Sequence, residues 1–413
     1  MSIVGWMMAG FCAVLVSLFC PQWVAASGFA IYDFGAAEQA KGNAVVAQVD
    51  APSAVFYNPA GLAGIAGTDL QAGTTVVFPK TTFYSDVTGR DTRGDAGPAF
   101  PSYLFVSQQV GSSWGMGLGI FAASGNKVEY PNDWEGRFVV TSAELRQVHL
   151  APSMAYRVSP QVSVGAGLVF TRADFQQASR IDLSAFGLPE GTADLEGDGF
   201  GVGANVGVQA RLGATLLGAV YKSPSSISFD GDARFQVPAL AASFFPDGGM
   251  DTSLKFPQMI IVGVATRAIP RLTLEGDVQW SNWNTLDGQD IRFDNNTLTV
   301  QDTRVPFDWR DTWTVRIGGQ YDLTDVVVLR AGYSFDPSAV PDATLSPAFP
   351  EPDKHEVTVG VGIHRGSWTV DVLYGALFTE TRRANNTLTG LPSHSGRYES
   401  STQAAGLSVR GRF

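Results

Sequence analysis

The sequence predicts an all-β fold: a transmembrane antiparallel β-barrel of about 14 strands with an N-terminal hatch plugging its lumen. Three observations carry this. Apolar and polar residues alternate with a period of two along most of the chain, the connections between these segments alternate between short and long, and a compact apolar stretch precedes the first strand. Composition agrees. The 413 residues are 45% hydrophobic but only 16% charged, with 46 glycines, whereas a soluble domain carries about a quarter charged residues. A net charge of −11 without any basic cluster argues against nucleic acid as a partner.

The chain opens on "VGWMMAGFCAVLVSLFCPQWVAAS", too short for a membrane span with its flanks. Its small residues at Val24-Ala25-Ala26 place a signal-peptide cut near Ala26, giving residues 1–26 as a signal peptide. No Lys or Arg precedes the apolar run, which is unusual for such a leader. Both cysteines, Cys12 and Cys20, fall inside it, so the mature chain has no thiol and no disulfide.

From residue 67 the alternation takes over. In "RLTLEGDVQW" (271–280), Leu272, Leu274, Val278 and Trp280 share one parity and Thr273, Glu275, Asp277 and Gln279 the other; "HEVTVGVGIH" and "WTVDVLYGALF" repeat the pattern. Side chains alternate faces along a strand, so each segment has one apolar and one polar or small face. Strands are expected near 68–84, 99–110, 114–124, 144–158, 162–176, 199–212, 214–230, 252–266, 271–293, 310–323, 325–336, 354–366, 367–382 and 398–413. Tight links such as "VSPQV", "RLGAT" and "HRGSW" alternate with longer polar ones such as 177–198 and 231–251. Hydrocarbon satisfies no backbone polar group, and a closed barrel pairs them all internally. The apolar parity then faces lipid, which also makes outer-membrane lipids partners, with Trp114, Trp313, Trp368 and Tyr321 as interfacial aromatics. A soluble sandwich or propeller would not impose the alternation of loop lengths. The terminal Phe413 on an amphipathic last strand resembles the signal read by the barrel-insertion machinery, a second expected partner.

Fourteen strands enclose a lumen wider than side chains alone fill. Residues 27–66 are too apolar for a periplasmic tail and are placed inside as the hatch, ahead of a barrel over 67–413. "SAVFYNPAGLAG" (53–64) then makes compact turns at Asn58-Pro59 and its glycines, tolerated at membrane depth because protein surrounds them. This stretch, with Gly28-Phe29, Gly42-Asn43-Ala44 and Asn58-Pro59-Ala60-Gly61, resembles the hatch of the FadL-type transporters of long-chain fatty acids and hydrocarbons. "DWEGRFVVTSAELRQVHLAPSMAYRVSP" (133–160) is similar to that family's third outer loop and following strand. The resemblance implies passive uptake of hydrophobic small molecules in the outer membrane. Capture among the outer loops is followed by a hatch movement, then sideways exit at a kinked third strand. Gly28, Phe29, Gly42, Asn43, Asn58, Pro59, Ala60 and Gly61 become the gating candidates.

The third strand carries Gly115, Gly117 and Gly119 on the inward parity, a candidate lateral gate; the alternative is that they make room for the hatch. Arg157, Arg211, Arg316 and Arg330 face inward, as do Glu275, Asp277, Glu356 and Asp371. These charges pair with one another or with the plug, or else Arg316, Arg330 or Arg157 meets a substrate carboxylate through a guanidinium fork. His149, His355, His364 and His394 show no metal-ligand spacing, no cofactor motif stands between a strand and a helix, and no catalytic residues are expected. His149 is the one inward histidine an esterase could use. "DLEGDG" (194–199) opens like a calcium loop but has Asn205 at the twelfth position, and reads as a polar outer loop. A structural or adhesive barrel, or a phage receptor, is the competing class, and it has no use for a hatch.

Overall fold

The computed structural model describes residues 34–384 and 395–413, and for 123–126 the backbone alone. The expected leader, Gly28, Phe29 and His394 lie outside the described residues. The first elements are two single-turn helices, α1 (Ala36–Gln39) and α2 (Ala54–Tyr57), then a 3₁₀ segment at Pro59–Gly64. Strands follow: β1 (Thr68–Ser85), β2 (Asp91–Gly94), β3 (Ser102–Val110), β4 (Trp114–Glu129), β5 (Ser142–Arg157), β6 (Val162–Ile181) and β7 (Gly191–Leu212). Next come β8 (Thr215–Lys222), β9 (Ser225–Gln236), β10 (Gly248–Phe256), β11 (Met259–Ile269), β12 (Leu272–Ser281), β13 (Gly288–Phe293) and β14 (Thr303–Pro306). The last are β15 (Thr312–Asp322), β16 (Val327–Asp336), β17 (Lys354–Arg365), β18 (Trp368–Thr379), β19 (Arg382–Ala384) and β20 (Gly396–Arg412).

All these strands belong to one antiparallel sheet, and β1 pairs with both β3 and β20, so the sheet closes on itself. Several segments are halves of one stave. The pairs β8 with β9 and β10 with β11 continue across Pro224 and Pro257, where a missing N–H interrupts the ladder. Joining such halves, and likewise β2 with β3, β12 with β13, β14 with β15 and β18 with β19, leaves a 14-stave barrel.

The faces sort as the alternation requires. Met116, Leu118, Ile120, Val206, Val262, Ile317, Val359 and Leu407 point outward and are exposed, while Glu275, Asp277, Arg316 and Asp371 are buried within. Trp114, Trp313 and Tyr321 are exposed on the outer wall; Trp114 packs on Tyr156 at 4.7 Å and Trp368 on Phe413 at 5.7 Å. Tight turns use left-handed backbone at Gly111, Gly213, Arg271 and Gly366.

The two loops expected at 177–198 and 231–251 are corrected at their ends. Residues 177–181 finish β6, 231–236 finish β9 and 248–251 begin β10, while 191–198 are the first part of β7, an extension that pairs with both β6 and β9. "DLEGDG" is therefore strand, not loop. Above the membrane both sheet faces meet water, so the apolar alternation that marks a strand is lost there.

Candidate functional site

Residues 34–66 lie inside the barrel, tied to its wall on every side. Lys41 Nζ pairs with Glu275 Oε1 at 2.6 Å, and the Val45 and Val46 amides donate to Asp277 Oδ2 at 2.8 and 3.0 Å. The Gly42 amide donates to Thr358 Oγ1 at 3.1 Å, and Asn205 Nδ2 to the Val55 carbonyl at 3.0 Å. Arg157 donates to the Ala63 carbonyl. Aromatic packing completes the seat: Phe34 meets Phe56 at 4.8 Å and Phe121 of β4 at 5.0 Å, all three buried.

The Asn-Pro step has a local cause. Asn58, extended at φ −156, caps the 3₁₀ segment by accepting from the Ala60 amide at 3.1 Å, and Pro59 occupies the first helical position. The other end of the same amide donates to the Val46 carbonyl at 2.8 Å and the Val208 carbonyl at 3.2 Å. One side chain thus joins two turns of the segment to β7. Ala60 is wholly buried, and at Gly61 a Cβ would sit 2.6 Å from the Val49 carbonyl. Gly42 and Asn43 are both left-handed, at φ 61 and 60. A Cβ on Gly42 would stand 2.8 Å from the Tyr333 amide of β16.

Glycines of the wall mirror this close approach. A Cβ at Gly115 would lie 2.2 Å from the Leu62 carbonyl oxygen, at Gly165 2.4 Å from Pro59, and at Gly218 2.2 Å from the Val46 carbonyl. Gly207, Gly318, Gly332 and Gly360 meet Asn58, Lys41, Gly42 and Ala40 in the same way. The inward face is scalloped to admit backbone. Gly117 faces Val55 and Leu62, while Gly119 faces the rings of Phe105 and Phe121. The three β4 glycines therefore adjoin the segment or its aromatic seat.

The discontinuity in β4 lies further out. Its ladder with β3 ends at Tyr103↔Phe121, and a one-residue bulge against β5 falls between Phe121 and Ser124. Bulges re-aim side chains and break pairing.

Two apolar cavities stand in series above the segment. The outer one, about 460 Å³, lies among the loops between Phe138, Leu145, Phe175, Leu254, Ile291 and Trp309. The inner one, about 130 Å³, rests on Val55 and Phe56 and is walled by Phe121, His149, Phe256, Met259 and Trp283. On the other side of the segment a cavity of about 430 Å³ is polar, bordered by Glu38, Lys41, Asp50, Arg330, Asp371 and Arg410.

None of the three arginines singled out by sequence borders the inner cavity. Arg330 pairs with Asp371 at 2.6 Å and donates to Gln320 at 2.9 Å; Arg316 donates to Gln279 at 3.1 Å. The cation that does border it is Lys222, at the end of β8, its Nζ 3.6 Å from the centre of the Phe56 ring. Sequence reading missed it, although the Lys222-Ser223-Pro224 break in the strand was a visible signal. His149 Nδ1 lies 2.9 Å from Thr171 Oγ1 and its ring stacks on Phe121. Among the described residues no group of side chains suits a metal ion.

A closed barrel with a lipid-facing outer wall, a blocked lumen and apolar cavities above the blockage is an outer-membrane transport protein for hydrophobic compounds. The chain belongs to the outer membrane transport protein family (OMPP1/FadL/TodX), whose model matches residues 17–413. It is 24% identical over 394 residues to the long-chain fatty acid transport protein of Escherichia coli K12, covering 84% of this chain and 86% of that one. A putative outer membrane protein of Neisseria meningitidis is 22% identical, with 97% of each chain covered. Among solved structures, a Pseudomonas aeruginosa FadL homologue superposes with a TM-score of 0.83 at 19% identity, covering 94% of this chain and all of that one. The Pseudomonas putida toluene transporter TodX gives 0.75 at 19% identity, with 92% and 98% covered.

Proposed function

We propose that the chain is a hatch-gated channel for passive uptake of long-chain fatty acids or similar hydrophobic molecules, with no catalytic step. The same geometry serves an aromatic or aliphatic hydrocarbon, and relatives of both kinds are known, a fatty acid transporter and a toluene transporter. The observation that carries the reading is the pair of apolar cavities in series ending on residues 34–66. Those residues act as the hatch, with Asn58, Pro59 and Ala60 as its stiff centre and Gly42, Asn43 and Gly61 as its close contacts.

Lateral exit follows from what lies beyond the hatch. The chamber on that side is polar and charged, and an apolar substrate crossing it loses about 0.8 kcal/mol for each CH₂ returned to water. The wall at the Phe121–Ser124 bulge offers a route into lipid instead, and the glycines of β4 give the hatch room to shift beside it. Arg157 ties the hatch to the wall and Arg316 and Arg330 tie staves to one another, and they meet a substrate carboxylate only once the hatch has moved.

Uptake of labelled oleate and toluene by cells lacking their own channel of this family tests the reading. The chain is expected to restore entry of at least one. Deleting Ala122, which removes the bulge and lets the β4–β5 ladder run on, is expected to abolish that entry while the barrel still inserts. Unchanged uptake in the deletion overturns lateral exit; no uptake of either compound by the intact, inserted chain overturns the transport of these substrates.

A further inference from the structure

The two apolar cavities stand in series but are walled off from each other. Along β5, Leu145 borders the outer one and Gln147 the inner; along β10, Leu254 gives way to Phe256 in the same manner. On β6 and β9 one inward residue stands between the two spaces. Ala173 lies between Phe175 and Thr171, and Ile227 between Phe229 and Ser225. Both are wholly buried. Ile227 leaves no gap against β7, because a Cβ at Gly199 or Gly201 would lie 2.9 or 2.8 Å from its side chain.

Trp283 completes this partition. The chain leaves β12 at Ser281 and passes through a short turn, 282–286, before β13 begins at Gly288. That turn is fastened on both sides. The Asn282 amide donates to the Gln258 carbonyl at 3.0 Å, the Asn284 amide to Asp311 Oδ1 at 3.0 Å, and the Trp309 amide to the Leu286 carbonyl at 3.2 Å. From it the Trp283 ring, only 1% exposed, borders the inner cavity. Its edge-on neighbour at 5.0 Å is Trp309, which borders the outer one. Two touching indoles thus separate the spaces, and Ile227 and Leu286 belong to the same buried cluster. In so close-packed a setting the indole yields only if the turn moves.

Size then restricts the occupant. At about 130 Å³ the inner space compares with an apolar cavity of about 150 Å³ that holds one benzene. One ring fits there, and a long alkyl chain does not. The outer space, about 460 Å³, has over three times the room.

Resting on the transport reading above, we infer that Trp283 sets the size of what passes. The inner cavity admits a compound of one aromatic ring or equal volume, and long alkyl chains stop in the outer cavity. Removing the indole joins the two spaces into one slot that an extended chain can thread down to Phe56.

Bromine scattering from crystals of the purified full chain tests this. Bromobenzene is expected beside Phe56 and Phe121, whereas a long alkane brominated at both ends is expected only above Trp283, beside Leu254 and Trp309. In Trp283→Leu one bromine of the alkane is expected to reach Phe56. Ile227→Ala, which thins the same partition from β9, is expected to admit it at lower occupancy. Heat-modifiable migration on gels confirms that each variant is a folded barrel. In cells, Trp283→Leu is expected to raise oleate entry relative to toluene by about tenfold or more, since a tight apolar pocket discriminates on that scale per methylene. Alkane bromine at Phe56 in the wild type overturns the inference, as does its exclusion from both folded variants or an inner cavity that leaves bromobenzene out. An oleate-to-toluene ratio unchanged in Trp283→Leu overturns it too. The bromine positions are read without membrane passage, so they decide the role of Trp283 even where cells take up neither compound, an outcome that counts against the transport reading alone.

Discussion

The ion pair between Lys41 and Glu275 fastens the proposed hatch to the wall, where a single substitution can release it. Both side chains are nearly inaccessible, the Nζ–Oε1 distance is 2.6 Å, and Glu275 Oε2 has no other partner among the described residues. Replacing Lys41 by Met strands a buried carboxylate. Removing one partner of such a pair costs about 3–5 kcal/mol. The lower end applies here because Lys41 borders the polar chamber of about 430 Å³, which allows some solvation. That cost falls on the docked hatch only, since an undocked hatch leaves Glu275 facing an open lumen. About 3 kcal/mol corresponds to a rise in the undocked fraction of roughly two decades. Single-channel recording of the full chain in planar bilayers at pH 8 reads that fraction as open time. Lys41→Met is expected to open about a hundred times more often than the wild type. The double variant Lys41→Met/Glu275→Leu, which removes the stranded charge, is expected to return most of the way. Open times equal to wild type in Lys41→Met, or a double variant as open as the single one, refute the reasoning.

Two further outcomes are expected. Gly117→Val places its first added carbon 2.6 Å from Val55 Cγ2 and 3.0 Å from both Leu62 methyls, so it should raise bilayer conductance by lifting the hatch while barrel insertion is kept. In the outer loops, Arg137 grips Glu190 through hydrogen bonds of 2.7 and 3.0 Å and holds that carboxyl below its usual range. A lowered folded value means the clamp is fully present above the ordinary glutamate range near about 4.3 and is lost as pH falls through the folded value. Amide hydrogen exchange within 130–141, corrected for the intrinsic pH dependence of exchange, should therefore speed up on acidification, and in Arg137→Gln it should already be fast above the glutamate range.

Much of the wall was legible because a membrane imposes a strict rule on it. Lipid on one face and a crowded lumen on the other make every second residue apolar, and the strands at 114–120, 272–280 and 357–363 show that parity without exception on the lipid side. The inward charges Glu275, Asp277, Arg316 and Asp371 followed from the same parity. What escaped the reading lies where the rule lapses. β7 begins eight residues earlier than its apolar pattern, at Gly191, because water bathes both faces there. The staves broken at Pro224 and Pro257 were expected whole, at 214–230 and 252–266, because the strand pattern resumes beyond each proline. The site was legible only in its backbone features. Asn58-Pro59 marks a cap and turn by local chemistry, and parity alone turned His149 inward, whereas the meeting of Lys222 on β8 with Gln147 and His149 on β5 depends on pairings that no local pattern encodes.

The seam between the first and last staves has a consequence for how the molecule is made. Arg410 of β20 donates to Asp69 of β1 at 2.6 Å and also to the Asp50 carbonyl, while Arg412 reaches the same Asp69 carboxylate at 3.2 Å. First stave, last stave and the segment inside the barrel thus converge on Arg410 and Arg412. Every other stave precedes β20 in the chain and must be in place before these bonds close the ring. Zipping the wall shut and fastening the stopper are therefore one event, and a chain cut before Arg410 has neither.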